Sequence, residues 1–249
     1  MEWRVIRLEV RDAFTNMALD EAASEAVRAG ESPPTIRFYR WSPSAVSIGF
    51  FQELEKEVSL GKCRELGVDW VRRRTGGGAV YHDYNGEITY SVIAPERFFP
   101  KDVIKSYEEV CGWIISGLSS LGVSAEFSPI NDVLVNGKKV SGNAQTRRQG
   151  ILLQHGTVLY DVDPRRMFAV LNVPEEKISD KLVSSVEDRV TCLKKSTGAS
   201  MKEVEDALLK GFTSGKEWGE GAWSKQELER AEELAESKYK TREWNKGRL

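Results

Sequence analysis

The segment WVRRRTGGGAVYHD, residues 70–83, sets three arginines, a threonine and three glycines between two apolar runs. Adjacent arginines repel, and a triple glycine carries a large backbone entropy cost, so neither half favours folding by itself. The preceding VDWV reads as a strand fed by a short helix over VSLGKCRELG, and AVYH resumes as a strand. The glycines therefore sit at a strand end rather than in a linker. Gly76, Gly77 and Gly78 carry no side chains, so a ligand can approach main-chain N–H groups suited to phosphate oxygens. Arg72, Arg73 and Arg74 can add charge-assisted bonds, with strand alternation turning Arg73 away from the face of its two neighbours. A glycine turn flanked by solvated arginines fits the same residues, because neither a Walker pattern nor GxGxxG is present.

Working outward, Trp3 to Leu8 predicts an opening strand, and FTNMALDEAASEAVRAG predicts a helix capped by Thr15 or Asn16 and ended by Gly30. PTIRFYRWSPSAVSIGFF gives two short strands around a Ser-Pro turn. Beyond the glycines, AVYHDYNGEITYSVIA reads as strand, Asn-Gly turn, strand. Val103, Tyr107, Val110, Ile114, Leu118 and Leu121 recur at helical spacing. Asn136-Gly137 in DVLVNGKKVSG predicts a tight hairpin, and ILLQHGTVLYDV another strand. Pro164 opens a short helix, while Ser200/Glu203 and Ser224/Glu227 have capping-box spacing. The composition changes near Gly215, dividing the chain into a main domain over residues 1–214 and a helical extension over 215–249. Trp113, Trp218, Trp223 and Trp244 lie near helices and are assigned to packing.

With 40% hydrophobic residues and seven tryptophans among 249 residues, the chain has the makings of a globular core. The formal charge of −2 offers no global field for nucleic acid or an anionic membrane. Three scattered cysteines and two histidines signal neither a disulfide framework nor a zinc site. No run reaches transmembrane length and no leader-like apolar stretch opens the sequence, so a reduced cytoplasmic setting is expected.

A second constellation is KKVSGNAQTRRQG, residues 138–150. Lys139 and Ser141 alternate onto one face before a glycine, so the lysine can reach over a ligand from a rigid strand or stand solvated on it. His155 and His82 fit hydrogen-bonded strand positions as well as catalytic ones. Cys111 falls with the apolar positions of its helix. Asp132 beside Asn131 could orient a ligand or magnesium, or make an ordinary turn.

Taken together, RRRTGGGAVYHDYNGEITYS (72–91), NDVLVNGKKVSGNAQTRRQG (131–150) and QHGTVLY (154–160) resemble the lipoate-protein ligase family, and NMALDEAA is similar to its first helix. The resemblance implies an α/β (α+β) fold with a mixed, largely antiparallel sheet flanked by helices, as in biotin ligases and class II aminoacyl-tRNA synthetases. It implies ATP contacts at Arg73, Gly78, Ala79, Val80, Tyr81 and Lys139, and lipoate contacts at Lys139, Gly77 and His155. Lys139 would be the catalytic residue. The implied activity is ATP-dependent formation of lipoyl-AMP, with Mg2+, followed by transfer to a lysine of an acceptor lipoyl-domain protein. Positive charge is needed where negative charge grows in both steps. Val46, Ile48, Val80 and Leu152 are expected to line the lipoate slot.

The chain is too short to hold the C-terminal domain of bacterial ligases, so a separate accessory subunit is expected. An octanoyltransferase using acyl carrier protein is the nearest rival, but SPINDVL stands where cysteine-using relatives carry their nucleophile. That substitution favours the ligase. A biotin ligase is disfavoured by the loop sequence, and a noncatalytic nucleotide- or RNA-binding module by the charge balance and the lack of further basic, aromatic-interleaved patches.

Overall fold

The computed structural model describes residues 2–172 and 188–246. Strand β1 (Trp3–Arg11) places Val5 in one apolar core and Ile6 in another, as the two-residue strand period requires. Helix α1 (Ala13–Ala29) follows and ends at Gly30. Its cap is Asp12 rather than Thr15 or Asn16, because one Asp12 carboxylate oxygen accepts from the N–H groups of both Phe14 and Thr15 at 2.9 Å. Asn16 turns inward and donates to the carbonyls of Arg11 and Arg40.

The chain continues through β2 (Thr35–Trp41), β3 (Ala45–Ile48), α2 (Leu54–Glu57), α3 (Leu60–Leu66), β4 (Asp69–Arg72), β5 (Val80–His82) and β6 (Glu87–Pro95). Then come α4 (Val103–Ser119), β7 (Ala125–Ser128), β8 (Asp132–Val135), β9 (Lys138–Arg148), β10 (Ile151–Leu159) and α5 (Pro164–Val170). The last elements are α6 (Leu193–Thr197), α7 (Met201–Thr213), β11 (Trp218–Glu220), α8 (Lys225–Leu234), a π turn (Ala235–Tyr239) and α9 (Arg242–Lys246). Asn136 and Gly137, with φ of 51° and 73°, make the tight β8–β9 turn that Asn-Gly favours. Both expected capping boxes form, at Ser200/Glu203 and Ser224/Glu227.

Eight strands form one sheet in the order β11-β1-β2-β6-β10-β9-β8-β7, with β1 parallel to β11 and β2 and the other pairings antiparallel. The fold is the mixed, largely antiparallel α/β arrangement expected. One face packs under α4 and α7, where Val110, Ile114, Leu118, Leu208 and Phe212 meet Phe38, Tyr90 and Leu152. The other packs under α1 and α8, with Trp41, Leu153 and Trp223. Among the described residues, no helix is long and apolar enough to cross a membrane.

A second sheet, β4-β3-β5, stands beside the first over a third core containing Val46, Ile48 and Cys63. Here the expected strand, Asn-Gly turn and strand over 79–94 form, but the two strands belong to different sheets. β5 pairs with β3, whereas β6 pairs with β2 and β10. The Asn85-Gly86 turn carries the chain from one sheet to the other: Asp83 accepts from the N–H groups of Asn85 and Gly86, and the Gly86 carbonyl accepts from those of Tyr160 and Asp161.

The last elements are built into this body. β11 joins the sheet through β1, and Arg4 forms an ion pair with Glu227 at 2.6 Å. Lys238 and Tyr239 both donate to Glu21 on α1. Trp223 and Trp244 pack as expected, while Trp218 stays 37% exposed.

Candidate active site

The two sheets meet at a cavity of about 310 Å³, near the lower end of small-molecule sites at about 300–1,000 Å³. Met17, Tyr39, Trp41, Val80, Leu159 and Met167 give it apolar walls. Ser47, Arg73, His82, Lys139, Asn143 and His155 add polar groups. Gly77, Gly78, Ala79 and Tyr81 also line it, so every residue that the resemblance assigned to ATP or lipoate converges here, while Asp132 stands outside the lining. Of the residues expected to form the slot, only Val80 does. Val46 and Ile48 belong to the core beneath the small sheet, and Leu152 to that under α4, because their alternation turns them away from the cavity.

Strand alternation separates the three arginines as expected. Arg72 points to the C-terminal segment, donating to the carbonyls of Trp244 and Asn245 as well as Gly49, Phe50 and Gln52. Arg74 lies 3.8 Å from Glu21. Arg73 turns the other way and is buried, donating to the carbonyls of Ser47, Gly76 and Gly78 and to the hydroxyls of Ser47 and Thr75. Burial lowers its pKa to about 10, which still leaves it cationic at neutral pH. Its first job is to clasp the glycine loop.

Lys139 stands at the rim on β9, 42% exposed at its side chain and 2.7 Å from an Asp132 carboxylate oxygen. A methyl group on Gly142 would lie 2.7 Å from its Nζ, so the glycine three residues on leaves room for the ammonium to fold over the strand. The strand itself is held by the Lys139 N–H donating to the Arg189 carbonyl at 2.8 Å. Asp132 thus orients the lysine. Among the described residues, no group of three or more His, Cys, Asp or Glu side chains is placed to hold a metal ion.

Two buried hydrogen-bond chains frame the cavity. In one, His82 Nδ1 lies 2.6 Å from Glu87 and Nε2 lies 2.8 Å from Ser47 Oγ. The imidazole stacks on Trp41, with ring centroids 4.0 Å apart. In the other, His155 Nδ1 lies 3.2 Å from Asp20 and Nε2 lies 2.7 Å from Thr75 Oγ1. Burial outweighs the Asp20 carboxylate and lowers the His155 pKa, favouring neutral imidazole. Asp20 also accepts from Arg37 and Ser91, anchoring this chain under α1.

None of the cysteines lines the cavity. Burial pushes Cys111 up to about 12 and Cys63 to about 11, so both stay thiols at neutral pH. Cys111 Sγ sits behind Asn143, 3.4 Å from its Nδ2.

The lipoyl protein ligase A/B catalytic domain model matches residues 12–213. The chain belongs to that family. Octanoyltransferase LipM of Brevibacillus brevis is 37% identical over 273 residues, covering 98% of each chain. Octanoyltransferase LipM of Kyrpidia tusciae is 38% identical over 271 residues, again covering 98% of each. A structure described as a bi-partite lipoate protein ligase with its E2 lipoyl domain, from Thermoplasma acidophilum, superposes with a TM-score of 0.90 at 34% identity, over 100% of this chain and 98% of that one.

The chain is therefore an enzyme of the lipoate ligase and octanoyltransferase family. The expected ATP-dependent ligase activity is corrected by the relatives matched along the whole chain, which are octanoyltransferases. Cys111 is in the core as expected, but the preference for a ligase drawn from the cysteine-free SPINDVL stretch disagrees with these relatives. In this member of the lipoyl ligase A/B family, sequence reading also missed Ser47, Thr75, Asp20 and Glu87. Ser47 alone left a trace, as a hydroxyl inside the otherwise apolar AVSI strand.

Proposed function

We propose that this chain transfers an octanoyl group from the thioester of a carrier protein to a lysine amine of an acceptor lipoyl domain. The observation that carries the reading is an apolar-walled cavity with the Lys139 ammonium at its rim. The walls suit an unbranched acyl chain, while the ammonium can donate to the acyl carbonyl oxygen where charge grows during aminolysis. The two LipM relatives support the choice of octanoyl, and the E2 lipoyl domain described with the Thermoplasma ligase supports the choice of a lipoyl domain as acceptor. The test supplies octanoyl carrier protein and an acceptor domain without nucleotide. Octanoyl amide on the acceptor lysine, seen by peptide mass spectrometry, is the expected result. Amide formed only from free octanoate plus Mg-ATP would overturn the reading.

A further inference from the structure

We propose that Ser47 is an acyl-accepting nucleophile, activated by His82 and Glu87. The proposal rests on the octanoyl-transfer reading and identifies where the acyl group is held between donor and acceptor. Ser47 is 2% exposed to bulk solvent yet lines the cavity together with His82. A Glu87 carboxylate 2.6 Å from Nδ1 can only accept, so that nitrogen carries the proton and Nε2 is free to take one from the Ser47 hydroxyl at 2.8 Å. Thr89 donates to the same Glu87 oxygen and itself accepts from Trp41, whose ring stacks on the imidazole. The base is thereby fixed in tautomer and in plane. Arg73 Nη1, 3.2 Å from Ser47 Oγ, puts a cation beside the oxygen that becomes an alkoxide.

The Thr75–His155–Asp20 chain has the same order of groups, but Thr75 is a secondary hydroxyl standing behind the cavity wall. The cysteines are outside the wall as well. Ser47 is therefore the cavity nucleophile that has a base and an orienting carboxylate.

In the first step Ser47 Oγ attacks the thioester carbonyl as its proton passes to His82 Nε2. The C–S bond breaks, and the thiolate leaves with that proton. In the second step the acceptor amine attacks the ester carbonyl and gives a proton to His82. The C–O bond breaks, and Ser47 Oγ recovers the proton. No oxidant, nucleotide or metal is consumed.

The experiment mixes the chain with octanoyl carrier protein without acceptor, quenches in acid and maps the adduct by peptide mass spectrometry. An octanoyl ester on Ser47 is expected, absent from Ser47→Ala, with His82→Gln slowing its formation about 10²–10⁴-fold. Ser47→Cys keeps an adduct that becomes labile to neutral hydroxylamine, a change that a purely structural serine would not produce. Transfer that proceeds with no adduct, or with the octanoyl group on Cys111, overturns the role of Ser47 and leaves the transfer reading standing. If the carrier protein donates nothing, the transfer reading fails, and p-nitrophenyl octanoate then decides the nucleophile: a nitrophenol burst with Ser47 acylated supports it, and no burst overturns it.

Discussion

A methyl group on Gly49 would lie 2.0 Å from the carbonyl oxygen of Gly77. Gly77 adopts φ of +92° and Arg73 clasps the carbonyls on either side of it, so the glycine loop has a fixed seat on β3. Gly49→Ala must displace backbone rather than a flexible side chain, at about 1–3 kcal/mol. Thermal unfolding should move down by roughly 2–4 °C per kcal/mol lost, with acyl transfer falling in parallel. An unchanged melting temperature together with full activity would show that the loop moves away without cost.

Arg72→Lys is expected to behave as a loss rather than a conservative change. A lysine has three donors on one nitrogen and cannot reproduce the fork that meets the carbonyls of Trp244, Asn245, Gly49, Phe50 and Gln52. Carbonyls left dry and unpaired cost about 1–3 kcal/mol each where water cannot reach them. Denaturant unfolding should show a lower midpoint, and limited proteolysis earlier cleavage around residues 240–246. Native-like resistance in both assays counts against the brace.

Lys139→Ala should lower the transfer rate at saturating substrates by about 10²–10³-fold if its ammonium meets the developing oxyanion. The melting temperature should stay near that of the parent, since the side chain is 42% exposed. Steady-state kinetics that change only the KM for the acyl donor would assign the lysine to binding alone.

Acid should loosen the C-terminal segment first. Burial raises the Glu21 pKa, but Arg74, Lys238 and Tyr239 outweigh it and hold the carboxyl below its ordinary value of 4.5. A depressed carboxyl contributes stability that is complete above the unfolded value and lost as pH falls through the folded one. Glu227, held down by Arg4 against its own burial, acts in the same direction. Tryptophan emission should therefore redden below about pH 4.5, and Glu21→Gln should remove much of that acid dependence. A flat profile from pH 6 to 3 contradicts this assignment.

Much of the body was readable because local rules and the fold agree. The Asn136-Gly137 turn, the two serine-started helices and the opposed facing of Arg73 each follow from a few neighbouring residues. Lys139, the glycine loop and His155 were also picked out, each carrying a residue type or spacing that stands out, and Lys139, Gly77, Gly78 and His155 line the cavity. Ser47, Asp20 and Glu87 were not, because their meaning comes from partners 35, 135 and 5 positions away that only the packed sheets bring together. The split of the 79–94 segment between two sheets was hidden for a similar reason: an Asn-Gly turn fixes local direction but not which strands pair beyond it. The activity was misread because the lack of a cysteine in SPINDVL was given more weight than the rest of the chain, which matches octanoyltransferases along its whole length.

The place of β1 between β11 and β2 bears on how the protein is made. β2 ends at Trp41, whereas β11 begins at Trp218. At about 5–20 residues per second, the ribosome delivers the second neighbour roughly 10–40 s after the first. Through that interval one edge of β1 has no strand to pair with in a nascent chain surrounded by other proteins. The strand reads WRVIRLEVR, with an arginine at every third or fourth position, and such charge is what discourages stray edge pairing. Arg4 and Arg7 later serve as ion-pair partners of Glu227 and Glu205, so the charges that guard the waiting edge end as part of its closure.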